Sequence, residues 1–157
     1  MRPRVFLLVC LASALIWAAL IAGIAHAATY WTLDANCCSI HANAWERGHL
    51  NERNLGLGVT VQHDAWGMAS GFYDNSFRRI SKYLLADWLP IHFGPFRAGI
   101  TAGAASGYAK SNVASEPWIG GLEVTAKLPA DMIGRAIIVP SIGSTVGFAG
   151  FQLGLRL

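Results

Sequence analysis

His41, the triplet Asn51-Glu52-Arg53 and the pair Asn75-Ser76 are the residues of this sequence best equipped for chemistry. An imidazole takes up and returns protons near neutral pH, so it can act as a general base toward a hydroxyl such as that of Ser76. Guanidinium groups grip phosphate in a planar fork, which makes Arg53, and with it Arg78 and Arg79, candidates for holding lipid phosphates. Each residue also has an ordinary structural use. His41 alone could be a hydrogen-bonding group at the end of a strand, Ser76 a hairpin residue, and Glu52 with Arg53 a surface ion pair. The elements that carry them decide whether they meet.

Those elements read as β-strands. After Asn54, the residues Leu55, Leu57, Val59 and Val61 take one parity, and Gly56, Gly58, Thr60 and Gln62 take the other. That is a strand with one greasy face. His63, Asp64 and Ala65 form a turn, and Trp66, Met68 and Phe72 then oppose Gly67, Ala69, Gly71 and Tyr73. The alternation returns with Phe96, Ala98, Ile100 and Ala102, with Leu122, Val124 and Ala126, and with Phe151, Leu153, Leu155 and Leu157. Eight strands are expected, at roughly 29–41, 54–63, 66–74, 78–89, 92–103, 117–128, 134–141 and 146–157, several of them matching the ~9 to 11 residues with which a tilted strand crosses a bilayer. The stretches 42–53 and 104–116 are long connections, whereas 64–65 and 90–91 are tight turns.

An even strand count, alternation and a final strand at the C-terminus predict an all-β, eight-stranded antiparallel transmembrane β-barrel of the outer-membrane type. Lipid cannot satisfy open backbone groups, so the sheet must close. Trp31, Trp45, Trp66, Trp88 and Trp118 fall near strand ends, as interfacial girdles require. A lumen of this size is filled by side chains or holds one slender ligand. Inward glycines at 56, 58, 67, 71, 99 and 103 are expected to hollow it, and Arg97, Glu123, Lys127, Arg156 and Asp87 to pair within it.

The N-terminus supplies the route to such a membrane. Arg2 and Arg4 precede an apolar run from Val5 to Gly23, followed by Ala25-His26-Ala27, the pattern of a secretory signal peptide over 1–27. Its removal leaves a barrel domain, 28–157, of about 130 residues, enough for one domain. The formal net charge of +3 falls to roughly +1 without Arg2 and Arg4, which gives no support for nucleic-acid binding. Cys37 and Cys38 are adjacent, point to opposite faces of a strand and read as small buried residues; neither a disulfide nor a metal site is expected.

In order and strand placement, four pieces of this chain resemble the PagP-type lipid A palmitoyltransferases. They are His41 near the end of the first strand, "NERNLGLG", the block "FYDNSF" (similar to that family's Phe-Lys-Asp-Ser-Trp), and Pro140 seventeen residues before the C-terminus. The resemblance covers about residues 41–157. It implies an acyltransferase that moves an acyl chain from a phospholipid to lipid A in the bacterial outer membrane, as a monomer and with no cofactor. His41 would be the general base and Ser76 the hydroxyl at the active rim, beside Asn75. Glu52, Arg53, Arg78 and Arg79 would meet the substrate, and Tyr83 and Asp87 would bound the acyl pocket. Pro117 and Pro140 would open a lateral gate, since proline cannot donate to a β-ladder.

The chain also departs from that family. Asn75 stands where the family has an acidic residue, Asp87 where a glycine floors the pocket, and Asn54 where a proline follows Asn-Glu-Arg. The alternative is a non-enzymatic barrel that binds lipopolysaccharide or serves a structural or adhesive purpose. A small-barrel deacylase would pair its His and Ser along one strand, a spacing not read here.

Overall fold

The computed structural model describes residues 29–108, 118–140 and 147–157, so the expected signal segment, 1–27, and Pro117 lie outside the described residues. Eight strands run in chain order around a closed barrel: β1 (Thr29–His41), β2 (Gly56–His63), β3 (Trp66–Asp74), β4 (Ile80–Phe93), β5 (Phe96–Ala105), β6 (Trp118–Lys127), β7 (Met132–Val139) and β8 (Phe148–Arg156). All neighbours are antiparallel, and β1 pairs with β8 to close the sheet. A single turn and a half of helix, α1 (Ala44–His49), caps the connection after β1. Asn43 starts it by accepting the Glu46 N–H at 2.9 Å.

The polarity is inverted relative to a water-soluble protein. Leu33, Leu57, Met68, Leu84, Ile100, Leu122 and Leu153 are exposed on the outer face, while Asp34, Thr60, Gln62, Asp87, Thr101, Glu123 and Arg135 are buried inside. Period-2 alternation sorts them, because successive Cβ atoms point to opposite faces. Trp31, Trp66, Trp88, Phe93 and Phe96 lie toward the end with the tight turns, Trp66 stacking on Trp88 at 5.7 Å. Lys82 falls on the greasy parity but close to the long-loop rim, where its apolar stem can cover the outer face while its ammonium extends past the strand end.

The lumen has two storeys. Toward the tight turns it is a polar plug: Asp34 accepts from Thr32 at 2.7 Å and from Thr60 at 2.5 Å, and Arg135 Nη1 donates to Thr60 Oγ1 at 2.9 Å. Arg135 Nε faces Glu123 Oε1 at 2.8 Å, a close ion pair without the alignment of a hydrogen bond. Toward the long loops it is apolar, with Tyr83, Leu85, Ala105, Ile137 and Val139 packed together.

Three expectations need correction. The fourth strand does not end before a turn at 90–91: it runs to Phe93, because Pro90 sits where the β4–β5 register shifts between Trp88 and Ile91 and no ladder hydrogen bond is lost. The turn itself is Gly94-Pro95, with Gly94 at φ +57°, in the left-handed region that glycine tolerates. None of the six inward glycines leaves empty space: a Cβ on any of them would come within 3.0 Å of another atom, as on Gly58, 2.1 Å from the Tyr83 hydroxyl, or on Gly67, 2.5 Å from Asp87. Finally, Glu123 pairs with Arg135, whereas Arg97 lies 3.7 Å from Asp64 and Lys127 and Arg156 are exposed at the tight-turn mouth.

Removing Arg135 would strand Glu123 without its counter-charge. Arg135→Ala should destabilise the barrel by about 3–5 kcal/mol in guanidinium unfolding from detergent. Adding Glu123→Gln to that variant should recover part of the loss. An unchanged midpoint in Arg135→Ala would show that the pair does not hold the plug.

Candidate functional site

One irregularity in β1 builds the site. Against β8 the register slips between Asn36 and Cys38, so Cys37 is an extra residue in the strand. Before the bulge, Thr32, Asp34 and Asn36 face inward; after it, Ser39 and His41 do. Without the bulge His41 would share the outward parity of Trp31 and Leu33. The bulge also revises the reading of the cysteines, since Cys37 is exposed and Cys38 half-buried, both free, with their sulfurs 2.8 Å apart.

At the long-loop mouth the inward His41 meets two partners from distant parts of the chain. Its Nε2 is 2.9 Å from Ser76 Oγ, and its Nδ1 is 3.2 Å from Glu52 Oε1, which also accepts the His41 backbone N–H at 2.9 Å. A carboxylate can only accept, so Nδ1 carries the proton and Nε2 is the acceptor for the Ser76 hydroxyl. The backbone N–H of His41, more than any other group, holds the Glu52 carboxyl below the ordinary carboxylate range, with the imidazole and Arg47 adding to it. His41 is buried at 2% exposure while Glu52 is 31% exposed. The result is a hydroxyl, an imidazole and a carboxylate in line, the arrangement that activates a serine.

Glu52, expected among the substrate contacts, is thus the residue that orients His41. Asn75 has a different part. It is fully buried and does not touch His41; its Oδ1 accepts from Phe77 N at 2.9 Å and Arg79 N at 3.1 Å, and its Nδ2 donates to Ser81 Oγ at 3.0 Å and Gly107 O at 3.1 Å. An aspartate has no donors for the last two, which accounts for an amide at this position. Asn51 ties the same turn to the Glu52 segment through Ser76 O at 2.8 Å and Asn75 O at 3.2 Å.

Arg53, Arg78 and Arg79 are exposed at the rim and form no ion pair among the described residues. Arg47, missed in the sequence, reaches back from α1 to the His41 carbonyl at 3.0 Å. Asn43 followed three positions later by Glu46 is the helix-start signal that could have revealed it. Ser39 and His41 share the lumen face of β1 two residues apart, so a Ser and a His do lie along one strand, but His41 turns its Nε2 to Ser76.

A cavity of about 70 Å³ lies beneath Ser76, walled by Tyr73, Tyr83, Leu85, Ile119, Ile137 and Phe148. Tyr83 lines it; Asp87 does not, belonging instead to the polar plug below. The wall beside the cavity is incomplete. The β6–β7 ladder stops at Leu122 opposite Ile138, although β6 extends back to Trp118. Continued, it would set Gly120 against Pro140, which has no N–H to give. The β1–β2 ladder likewise stops at Asn36 opposite Gly56, although residue 54 is not a proline.

Asn75→Asp should cost about 1–3 kcal/mol of stability, because the buried Ser81 hydroxyl and the Gly107 carbonyl lose their donor. Thermal unfolding in detergent reads this directly. A carboxyl-observed NMR titration should place the Glu52 midpoint below the ordinary range, with the Glu52–His41 contact present above that range and lost as pH falls through the lowered midpoint. In His41→Ala most of the depression should persist, since the backbone N–H remains.

Compared with known proteins, the chain matches no family model, and no curated protein shows significant sequence similarity to it.

Proposed function

We propose that this protein is an acyltransferase of the bacterial outer membrane, moving an acyl chain from a phospholipid to a hydroxyl of lipid A. The observation that carries this reading is the Glu52–His41–Ser76 line, which opens on an apolar cavity inside a barrel greasy on its outer face. Exposed leucines, aromatics at the strand ends and a closed sheet support membrane insertion. The expected signal segment, 1–27, and the resemblance to the PagP-type enzymes point to the same place.

The chemistry follows from the geometry. His41 Nε2 takes the Ser76 proton as Oγ attacks the ester carbonyl of the phospholipid. The tetrahedral adduct collapses, the ester C–O bond breaks, and His41 returns its proton to the departing lysophospholipid oxygen. The acyl group is then an ester of Ser76. In the second half His41 takes the proton of a lipid A hydroxyl, which attacks that ester; collapse releases acylated lipid A, and the proton goes back to Ser76 Oγ. Glu52 holds the imidazole in the required tautomer and offsets its charge during both halves. Arg53, Arg78 and Arg79 are free to hold phosphates of the lipids, and the gap beside Pro140 gives an acyl chain a way in from the bilayer. Tyr83, rather than Asp87, closes the bottom of the slot.

Purified protein in detergent, given phospholipid and lipid A, should produce a heavier lipid A by mass spectrometry. Ser76→Ala and His41→Ala should abolish the gain, and Glu52→Gln should slow it by about two to four orders of magnitude. Free fatty acid as the product would make the protein a hydrolase instead. No conversion with donors of several chain lengths would leave the rim as a lipopolysaccharide-binding surface.

A further inference from the structure

Two thiols that the acyl transfer does not use meet at the bulge of β1. The sulfurs of Cys37 and Cys38 lie 2.8 Å apart, and both residues are free. In a regular strand their side chains would point to opposite faces and stay apart. The bulge lifts that constraint. Cys37 is the extra residue, and pairing with β8 resumes at Cys38 opposite Phe151. Besides Cys38, the Cys37 thiol has only a long contact, 3.5 Å, to the Phe151 carbonyl. Cys37 is exposed, so a reagent can reach it, while Cys38 is half-buried and borders the cavity beneath Ser76.

A disulfide bond is about 2.05 Å long, so these sulfurs need approach by only about 0.8 Å to form one. The backbone is already disposed for it. Adjacent Cα atoms are about 3.8 Å apart, however, closer than the roughly 4.4–6.8 Å that disulfides ordinarily span. A bond made there is strained and readily reduced again, which is the character of labile, regulatory disulfides rather than structural ones.

We propose that Cys37 and Cys38 form a reversible oxidation site, in which a disulfide between the two neighbours clamps the bulge that turns His41 inward. The oxidant is another disulfide. The exposed Cys37, as thiolate, attacks one of its sulfurs; that S–S bond breaks and a first thiolate leaves, with Cys37 held in a mixed disulfide. Cys38, as thiolate, then attacks the Cys37 sulfur, the mixed disulfide breaks and the second thiolate leaves. Both cysteine protons end on the two departing thiols. The pair has lost two electrons, and the external disulfide has gained them. The new ring encloses the single peptide at which β1 changes phase, so Ser39, Ile40 and His41 are held in their register against Gly150, Ala149 and Phe148. The step needs neither lipid nor the Ser76 hydroxyl, so it stands or falls apart from acyl transfer.

The test adds 4,4′-dithiodipyridine, an uncharged aromatic disulfide, to the detergent-solubilised, reduced full chain and reads mass by peptide, with fragment spectra separating Cys10 from the pair. Cys37 and Cys38 should together lose two hydrogens and keep no thiopyridyl group, and dithiothreitol should restore them. Cys38→Ser should instead retain a thiopyridyl group on Cys37. If that variant does not fold, the wild-type masses decide by themselves. Thiopyridyl groups on both cysteines, a cross-link between two copies, or no reaction at either thiol overturns the proposal. Amide hydrogen exchange at Ser39–His41 should be slower in the oxidised barrel than in the reduced one. Equal exchange in the two states overturns the clamp on His41.

Discussion

Hydrogen-bond closure of the β-sheet assigns every side chain to one of two faces, and a single extra residue can exchange the faces for the rest of a strand. Cys37 is that residue in β1. Below it the inward Thr32 and Asp34 belong to the polar plug and Asn36 borders the cavity; above it the inward side chains are Ser39 and His41. The candidate site exists because the strand changes phase there, at the height where the lumen passes from polar to apolar. A bulge gives up a regular ladder pair to re-aim side chains, and here the side chain re-aimed is the imidazole.

The polar plug and the apolar storey depend on each other. Arg135, Glu123, Asp34 and Thr60 fill the lower lumen with hydrogen bonds and one ion pair, so that the cavity above them has a floor. Tyr83 completes that floor by placing its hydroxyl against Gly58 and Gly71, where a side chain would collide with it. A carboxylate at Asp87 is compatible with an apolar slot because it lies below this boundary. The rim is fixed in a comparable way. Asn75 spends both its acceptor and its donors on the hairpin that presents Ser76, and Asn51 fastens that hairpin to the segment carrying Glu52.

Three features of the rim and the adjoining wall support the proposed lipid chemistry over a purely adhesive use. A hydroxyl, imidazole and carboxylate in line do more than hydrogen bonding at a strand end requires, and they sit directly over an apolar cavity. Arginines without ion-pair partners among the described residues surround the same opening, where anionic lipid headgroups would lie. The β6–β7 ladder stops short beside the cavity, next to a residue that cannot donate to it.

The alternation of large apolar residues with small or polar ones determined the eight strands and their greasy outer face by itself, because a two-residue period is a local property of the chain. His41, Glu52 and Ser76 were likewise visible as reactive types near strand ends. What the sequence did not contain in readable form was phase and partnership. Nothing in "NCCSIH" marks the bulge, since its evidence is a slip against β8 more than a hundred residues away. Arg135 was missed because β7 alternates poorly, and the cation declares its face only when Glu123 and Thr60 come round the barrel to meet it. Glu52 read as a surface carboxylate until the tertiary fold set it beneath the imidazole. Local periodicity is written in consecutive residues, whereas hydrogen-bonded triads and ion pairs in a closed barrel are fixed by the register among strands, and only closure sets that register.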